Sequence, residues 1–481
     1  MSYLEILLLS LVSILPFYLS VQNNSSNHKY LGILTVITLI LHIILDDFRW
    51  QMIPIYLSCI FLVLCSYKNW KFFKGSWLRK ITSCIFLFSL LGIGFLLSTI
   101  LPIFSLPVPT GKYQVGSKYL HLVSDETDNL TKKINDKREL MIKVWYPAII
   151  KEEEKEAYLN DGDRYGFAAK YGLPKNIFNY LDKVETHTFQ SPAVVDGKFP
   201  LLIFSHGLYS KASGYYALIE EIVSNGFIVL NINHTYESVG TLFPSNEIKL
   251  YSKEYDRKKN NKEMAAMIWG AMEVYKNTTD ETKRIESVSH ILKNYFAAEI
   301  THRWANDIDL VVHQIPVWEK YTFLLNHIDL SKIGVFGHSQ GGAAAGQIVL
   351  NNPKISAGIS IDGVQWGNMV DTFLTKPFLL LSSDWSEDHP NLNKYAFRNG
   401  SLTDFYQAKI KNSGHSSFMD IPFMINSSLI NEGGKIEPEL AIEITSKVVI
   451  QFFNKYLNEK NINISNIENQ YKELVLKKIN N

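Results

Sequence analysis

The sequence predicts an α/β region, a mostly parallel sheet flanked by helices, preceded by an all-α transmembrane region of about four helices. Three observations carry this. Composition shifts near residue 105, and four apolar stretches precede the shift, at roughly 4–21, 31–45, 52–67 and 81–104. Beyond about residue 115, short apolar runs alternate with longer amphipathic ones. At one junction of such a run with the next, a serine stands among glycines, in "KIGVFGHSQGGAAAGQ". The expected division is 1–105 for the apolar helices, 106–114 for a linker, and 115–481 for the α/β domain with a cap-like insertion at about 240–300.

The apolar region comes first. A membrane span needs about 20 predominantly apolar residues, and about 17 can suffice. The first and fourth stretches meet this; the second and third are shorter, separated by "DDFRWQ", and read as a helical hairpin. The first has no basic segment before it and no small-residue cleavage site, so it is not read as a cleaved signal. Basic residues concentrate in one loop, as Lys68, Lys71, Lys74, Arg79 and Lys80, against Lys29 and Arg49 elsewhere. That bias puts the loop in the cytoplasm, and the large domain from residue 115 on the extracytoplasmic side of a multi-pass protein. The spans hold few ionisable residues, Glu5 and His42 at most, which argues against an ion path. Cys59, Cys65 and Cys84 all lie here. A disulfide framework and a zinc–cysteine site are thereby excluded for the rest of the chain. The net charge of +1 offers no electrostatic case for nucleic acid.

In the second region, "ELMIKVWYP" (139–147), "FPLLIFSHG" (199–207), "FIVLNINH" (227–234), "KIGVFGHS" (332–339), "ISAGISID" (355–362), "PFLLLSSD" (377–384) and "YQAKIKNSG" (406–414) read as strands. Several are continuous apolar runs, as parallel strands buried on both faces require. Amphipathic stretches at 215–226, 302–321 and 438–457 read as the helices between and after them. Residues 240–300 break the rhythm with no clear strand, and so read as a lid or helical excursion. Its "EMAAMIWGAMEVY" carries Met264, Met267 and Trp269, a candidate cap over an acyl pocket or an ordinary packed helix.

Gly337-His338-Ser339-Gln340-Gly341 fits the G-x-S-x-G nucleophile elbow. The nucleophile sits in a strained strand-to-helix turn, and glycines two residues either side allow close backbone approach. A serine hydroxyl is a poor nucleophile until a base takes its proton. In α/β-hydrolases the partners follow in the order serine, acid, histidine. Two histidines follow Ser339, His389 in the polar loop "SEDHPN" and His415 in the loop after a strand-like run. His415 is the expected base. The acid is open between Asp362 and Asp384, each ending a strand, with Asp388 weaker. The oxyanion of an ester intermediate needs two donors. Gln340 N–H, directly after the nucleophile, is one, and Leu208 N–H in the loop after "PLLIFSHG" is the other. His206, His234 and His338 read as structural hydrogen-bonding residues, and Trp385 as a possible pocket wall.

Together these motifs resemble the secreted, lipoprotein-associated type II platelet-activating-factor acetylhydrolase family. The oxyanion segment "FPLLIFSHGLYSKASGYYALIEEIVSNGFIVLNINH", the elbow "KIGVFGHSQGG", the acid strand "ISAGISIDG" and the histidine loop "SGHSSFMD" carry the likeness, from about residue 112 to 455. The resemblance implies Ser339, Asp362 and His415 as the triad, Leu208 and Gln340 as oxyanion donors, and cleavage of short or oxidised acyl chains from phospholipid without metal or cofactor. Gln340 stands where animal members carry an aromatic residue, and the apolar helices have no counterpart in the secreted enzymes. The expected function is a membrane-anchored serine esterase whose partners are the bilayer and an ester or phospholipid. A general carboxylesterase of small esters and a non-catalytic membrane scaffold are the alternatives.

Overall fold

A computed structural model of the chain describes residues 2–21, 27–68, 76–131, 133, 136–386, 391–397 and 400–479. The chain divides into two compact units. One comprises Met1–Phe104 with Phe423–Ile430, and the other comprises Ser105–Pro422 with Asn431–Asn481.

The first unit includes the helices α1 (Tyr3–Val21), α2 (Asn27–Leu45), α3 (Ile53–Lys68) and α4 (Trp77–Ile100). Leu8, Val12 and Leu15 of α1 pack with Ile55, Cys59 and Leu62 of α3 and with Leu87 and Leu91 of α4. The four- and three-residue spacings put each set on one helix face. The outward faces are apolar too, with Ile6, Phe17, Ile37, Ile85 and Phe86 exposed. Helices apolar all round do not suit water on their outer side. The main exception is a buried ion pair, Arg49 to Glu5 at 2.7 Å, whose guanidinium also donates to the Leu101 carbonyl at 2.9 Å. Among the described residues, two stretches are long and apolar enough to cross a membrane, Trp50–Tyr67 and Trp77–Ile100. The third apolar stretch gains this length from a 3₁₀ turn at Trp50–Met52. Of the first stretch, expected to qualify, the part that counts among the described residues is Tyr3–Leu19 within α1, and of the second Lys29–Leu45 within α2. Two such helices, rather than about four, are therefore present by length among these residues. Lys71 and Lys74 of the basic loop lie outside the described residues.

The second unit is built on a twelve-stranded sheet. Its strands are β1 (Gln114–Thr127), β2 (Lys137–Ile149), β3 (Lys155–Ala157), β4 (Glu185–Gln190), β5 (Ala193–Val194), β6 (Phe199–Ser205) and β7 (Ile228–Asn233). A separate hairpin of β8 (Gly240–Leu242) and β9 (Ile248–Leu250) precedes β10 (Ile328–His338), β11 (Ala357–Ile361), β12 (Phe378–Ser382), β13 (Phe405–Ile410) and β14 (Leu474–Ile479). The strand order is β14-β13-β12-β11-β10-β6-β7-β2-β1-β4-β3, with β5 on β2. Neighbours from β13 through to β7 pair in parallel, while β14 and β2 flank them antiparallel. Every residue of β6, β7 and β11 is buried, which is why they read as predominantly apolar runs.

The helices of this unit include α5 (Asp161–Tyr171), α6 (Tyr216–Ser224), α7 (Lys253–Lys259), α8 (Lys262–Asn277), α9 (Glu281–Asn294), α10 (Phe296–Tyr321) and α11 (Gln340–Asn351). Trp304, Ile308, Val311 and Ile315 form the buried stripe of α10 and join Ile203, Val335 and Ile348 in the main core. The 240–300 insertion, read as free of strands, opens with the β8–β9 hairpin before α7–α9. Strands of three residues are too short to show a period in sequence. After β7 the chain returns to the far side of β6 as β10, so the strand order reverses between β6 and β10. Crevices at the carboxyl ends of strands at such a reversal are where open α/β sheets bind ligands.

Candidate active site

Ser339 stands at that crevice, between the end of β10 and the start of α11, with φ 55° and ψ −118°. That backbone is strained for a residue with a Cβ. The turn is held from below. A Cβ at Gly337 would lie 2.3 Å from the Gly341 carbonyl, and one at Gly341 would lie 2.0 Å from the Ser205 oxygen. Neither position has room for any side chain, so β6, β10 and α11 close directly on one another. Ala343, Ala344 and Ala345 are fully buried, which keeps α11 thin against the sheet.

His415 Nε2 lies 3.0 Å from Ser339 Oγ, and His415 Nδ1 lies 2.6 Å from Asp362 Oδ2. The Asp362 carboxylate also accepts from Ser383 N–H (2.8 Å), Ser383 Oγ (2.9 Å) and the Trp385 indole N–H (2.9 Å). Burial pushes this carboxyl up, but the bond to His415 and the amide of Ser383 outweigh it and hold it below the usual carboxylate range. Asp384, the other acid open from sequence, turns elsewhere. It binds Lys409 Nζ at 2.9 Å and the Asn412 N–H at 2.8 Å. His389 and Asp388 lie outside the described residues.

Leu208 and Gln340, the expected backbone donors, line one cavity with Ser339, Asp362 and His415. Its volume is about 590 Å³. Gln340 is the first residue of α11, where backbone N–H groups have no partner within the helix. Its side chain turns to α10 and donates to the Ala297 carbonyl (3.0 Å) and Thr301 Oγ1 (2.7 Å). Tyr295, Phe296, Trp366, Trp385 and Leu392 supply apolar walls. Lys409, the one lysine among the described lining residues, is tied to Asp384. The Met- and Trp-bearing helix α8 stays off the cavity. Ile268, Met272 and Tyr275 pack on Val288, Ile291 and Leu292 of α9, and Trp269 is 74% exposed. No group of three or more His, Cys, Asp or Glu side chains suited to a metal ion occurs among the described residues.

Several contributors carried no sequence signal. Ser383 and Trp385 aim at Asp362 only because the loop after β12 folds back. Tyr215 accepts the Gly207 N–H at 3.1 Å and stands 3.0 Å from His338 Nδ1. His338 Nε2 then donates to the His415 carbonyl at 3.0 Å. The elbow histidine thus braces the backbone of the imidazole that faces Ser339.

Burial, with the nearby His415 imidazole, pushes His338 down to about 3, and burial with nearby His234 does the same to His206. Both are neutral in the fold and protonate near 6.5 when unfolded. Their contribution to stability is complete above pH 6.5 and is lost as pH falls toward 3, because the unfolded chain then binds more protons. These two groups alone would remove on the order of 4 kcal/mol of unfolding free energy between pH 7.5 and pH 5, while Glu220 and Asp420, whose carboxyls burial pushes up to about 8 and about 6, act in the opposite direction over the same range. An NMR titration of the histidine rings in the folded protein checks this: neither His206 nor His338 should protonate between pH 7.5 and pH 5, and protonation of either near 6.5 would contradict it.

A serine on a strand–helix turn, a histidine in a late loop and an aspartate after the next strand, all at the carboxyl edge of a parallel sheet, define the α/β-hydrolase class. A ferulic acid esterase from Streptomyces cinnamoneus shares this fold, with a TM-score of 0.61 at 20% identity over 78% of this chain and 99% of that one. The chain belongs to the platelet-activating factor acetylhydrolase, isoform II, family, whose model matches residues 101–474. It is 26% identical to the platelet-activating factor acetylhydrolase of Cavia porcellus over 281 residues, 56% of this chain and 60% of that protein. With the enzyme of that name from Canis lupus familiaris it shares 23% over 371 residues, 73% of this chain and 77% of that one. The matched stretch spans about 60% of the length of the Cavia porcellus relative.

Proposed function

We propose that the chain is a carboxylic ester hydrolase acting through an acyl-enzyme on Ser339. The observation that carries this is the continuous hydrogen-bonded line from Ser339 Oγ through His415 to Asp362, at 3.0 and 2.6 Å. Ser339 Oγ attacks the ester carbonyl carbon while His415 Nε2 takes its proton. Asp362 holds the Nδ1–H tautomer and stabilises the imidazolium. The carbonyl oxygen, now an anion, is met by the N–H groups of Leu208 and Gln340. Collapse breaks the bond to the leaving alcohol, which receives the proton from His415. Water then repeats the sequence and releases the acid.

For the substrate we propose a phospholipid carrying a short acyl chain, the class to which the names of the relatives point. A neutral small ester is the second reading, favoured because Lys409, the lysine among the described residues of the cavity wall, is already paired with Asp384. Wild type and Ser339→Ala are to be compared on p-nitrophenyl esters of graded length, then on phospholipids with acetyl or long chains at the second position. The first reading expects acetylated phospholipid to be preferred over the long-chain lipid by at least about tenfold. Activity on simple esters alone would support the second, and no serine-dependent activity would leave a membrane scaffold.

We further propose that the apolar unit anchors the enzyme, through Trp50–Tyr67, Trp77–Ile100 and the two shorter apolar helices, in a bilayer, with the hydrolase unit on the extracytoplasmic side. Protease added to intact cells should then cleave within 105–481; full protection there, with cleavage only after lysis, would reverse the orientation.

A further inference from the structure

β6 ends at Ser205, and His206, Gly207 and Leu208 follow as the loop beside the nucleophile. A Cβ at Gly207 would lie 3.4 Å from that of Ser339, so the loop abuts the reacting serine. His206 is fully buried, its ring 5.2 Å from Trp304 and 5.3 Å from His234. Its two nitrogens have different partners. The backbone N–H of His234 points at Nε2 from 3.2 Å. An N–H can only donate, so Nε2 carries the lone pair and the proton sits on Nδ1. Nδ1 then donates to the Gly207 carbonyl at 2.7 Å. Burial keeps this imidazole neutral, with its pKa at about 3.

That carbonyl belongs to the same peptide unit as the Leu208 N–H. The peptide is trans, so its C=O and N–H point in opposite directions. Holding the carbonyl inward turns the N–H outward, and Leu208 lines the cavity with Ser339.

His234 is fixed in turn. Its Nδ1 donates to Asp307 at 2.7 Å, its Nε2 accepts from Ser205 Oγ at 2.8 Å, and its ring stacks on Trp304 at 3.9 Å. Asp307 also accepts from Arg138 Nε at 2.9 Å. Ser205, His234 and Asp307 repeat the bonding pattern of Ser339, His415 and Asp362. Their exposures of 0, 0 and 2% bar any substrate, so this second set works as a scaffold.

We propose that His206 is a positioning residue for ester cleavage, its Nδ1–H holding the Gly207 carbonyl so that the Leu208 N–H faces the oxyanion formed on attack by Ser339. This rests on the serine-esterase reading above. The test measures kcat and KM on p-nitrophenyl acetate for the full-length wild type, Ser339→Ala, His206→Ala and His206→Asn. His206→Ala should lower kcat by about 10²–10³-fold, the loss seen when one oxyanion donor is removed, with KM moved by less than about threefold. His206→Asn keeps an N–H near the Nδ1 position and should recover at least about tenfold of that loss. A purely structural role would instead lower both variants alike, in step with their melting temperatures. A folded His206→Ala with wild-type kcat, or an asparagine variant no better than the alanine one, overturns the proposal. If neither variant folds, ¹⁵N spectra of the histidine-labelled wild type decide it: protonated Nδ1 and bare Nε2 on His206 at pH 7 support it, and the opposite tautomer sinks it. Wild type no faster than Ser339→Ala would mean that the esterase reading has failed, an outcome separate from these.

Discussion

Replacing Ser339 with alanine should lower kcat on p-nitrophenyl acetate by about 10⁴–10⁶-fold, with KM within a few-fold of the parent value. The size follows from what the hydroxyl does. With Oγ gone there is no acyl-enzyme, and the residual rate is whatever the cavity and the backbone donors lend to direct attack by water. KM should hold because the substitution leaves alone the cavity walls, such as Phe296, Trp366 and Leu392. The fold should tolerate the change. The strained φ of 55° is borne by the backbone around Ser339, and alanine carries the same Cβ into it. The side chain loses one hydrogen bond, to His415 at 3.0 Å. A melting temperature close to wild type, together with loss of the p-nitrophenolate burst that accompanies acylation, is the expected pair of results. Undiminished turnover in a folded Ser339→Ala protein would remove the nucleophile from the mechanism and the serine-esterase reading with it.

Legibility in the sequence followed the physics of each element. β6, β7 and β11 are buried on both faces, so most of their positions are apolar and the runs stand out. β1 was not seen: within Gln114–Thr127 buried and exposed residues do not alternate regularly, and the strand begins where a linker was expected. β14, "LVLKKI", is an edge strand whose lysines mask its period. The elbow was legible because sterics demand glycine at Gly337 and Gly341, and a steric demand leaves a mark in sequence. The bonds around Asp362 and the tautomer of His206 leave none. They depend on where a loop folds back, and a serine, tryptophan or tyrosine occurs equally well with no such role. The apolar helices show the same limit, since the 3₁₀ turn that lengthens the third of them is a backbone event with no residue code.

Asp362→Asn and Asp384→Asn should separate by about three orders of magnitude. Both carboxylates follow parallel neighbouring strands at the same sheet edge, β11 and β12, which is why pattern alone divided them so poorly. The structure distinguishes them by what they touch. Asp362, at φ 48°, turns back under His415 and receives its Nδ1–H at 2.6 Å. Its asparagine variant presents either an amide N–H, which favours the wrong imidazole tautomer, or a neutral oxygen, which no longer stabilises the imidazolium. The expected loss in kcat is about 10⁴-fold at pH 7, with little change in KM. Asp384 is occupied with Lys409 and the Asn412 N–H, partners that hold the loop between β13 and His415. Because that ion pair is partly exposed, its loss should cost no more than about 1 kcal/mol of stability and less than about tenfold in kcat. Side-by-side kinetics and thermal melts of the two variants would check this. Equal losses in kcat would mean that Asp384 reaches the imidazole in a conformation other than this one, and that the hydrogen bond at 2.6 Å does not mark the working acid.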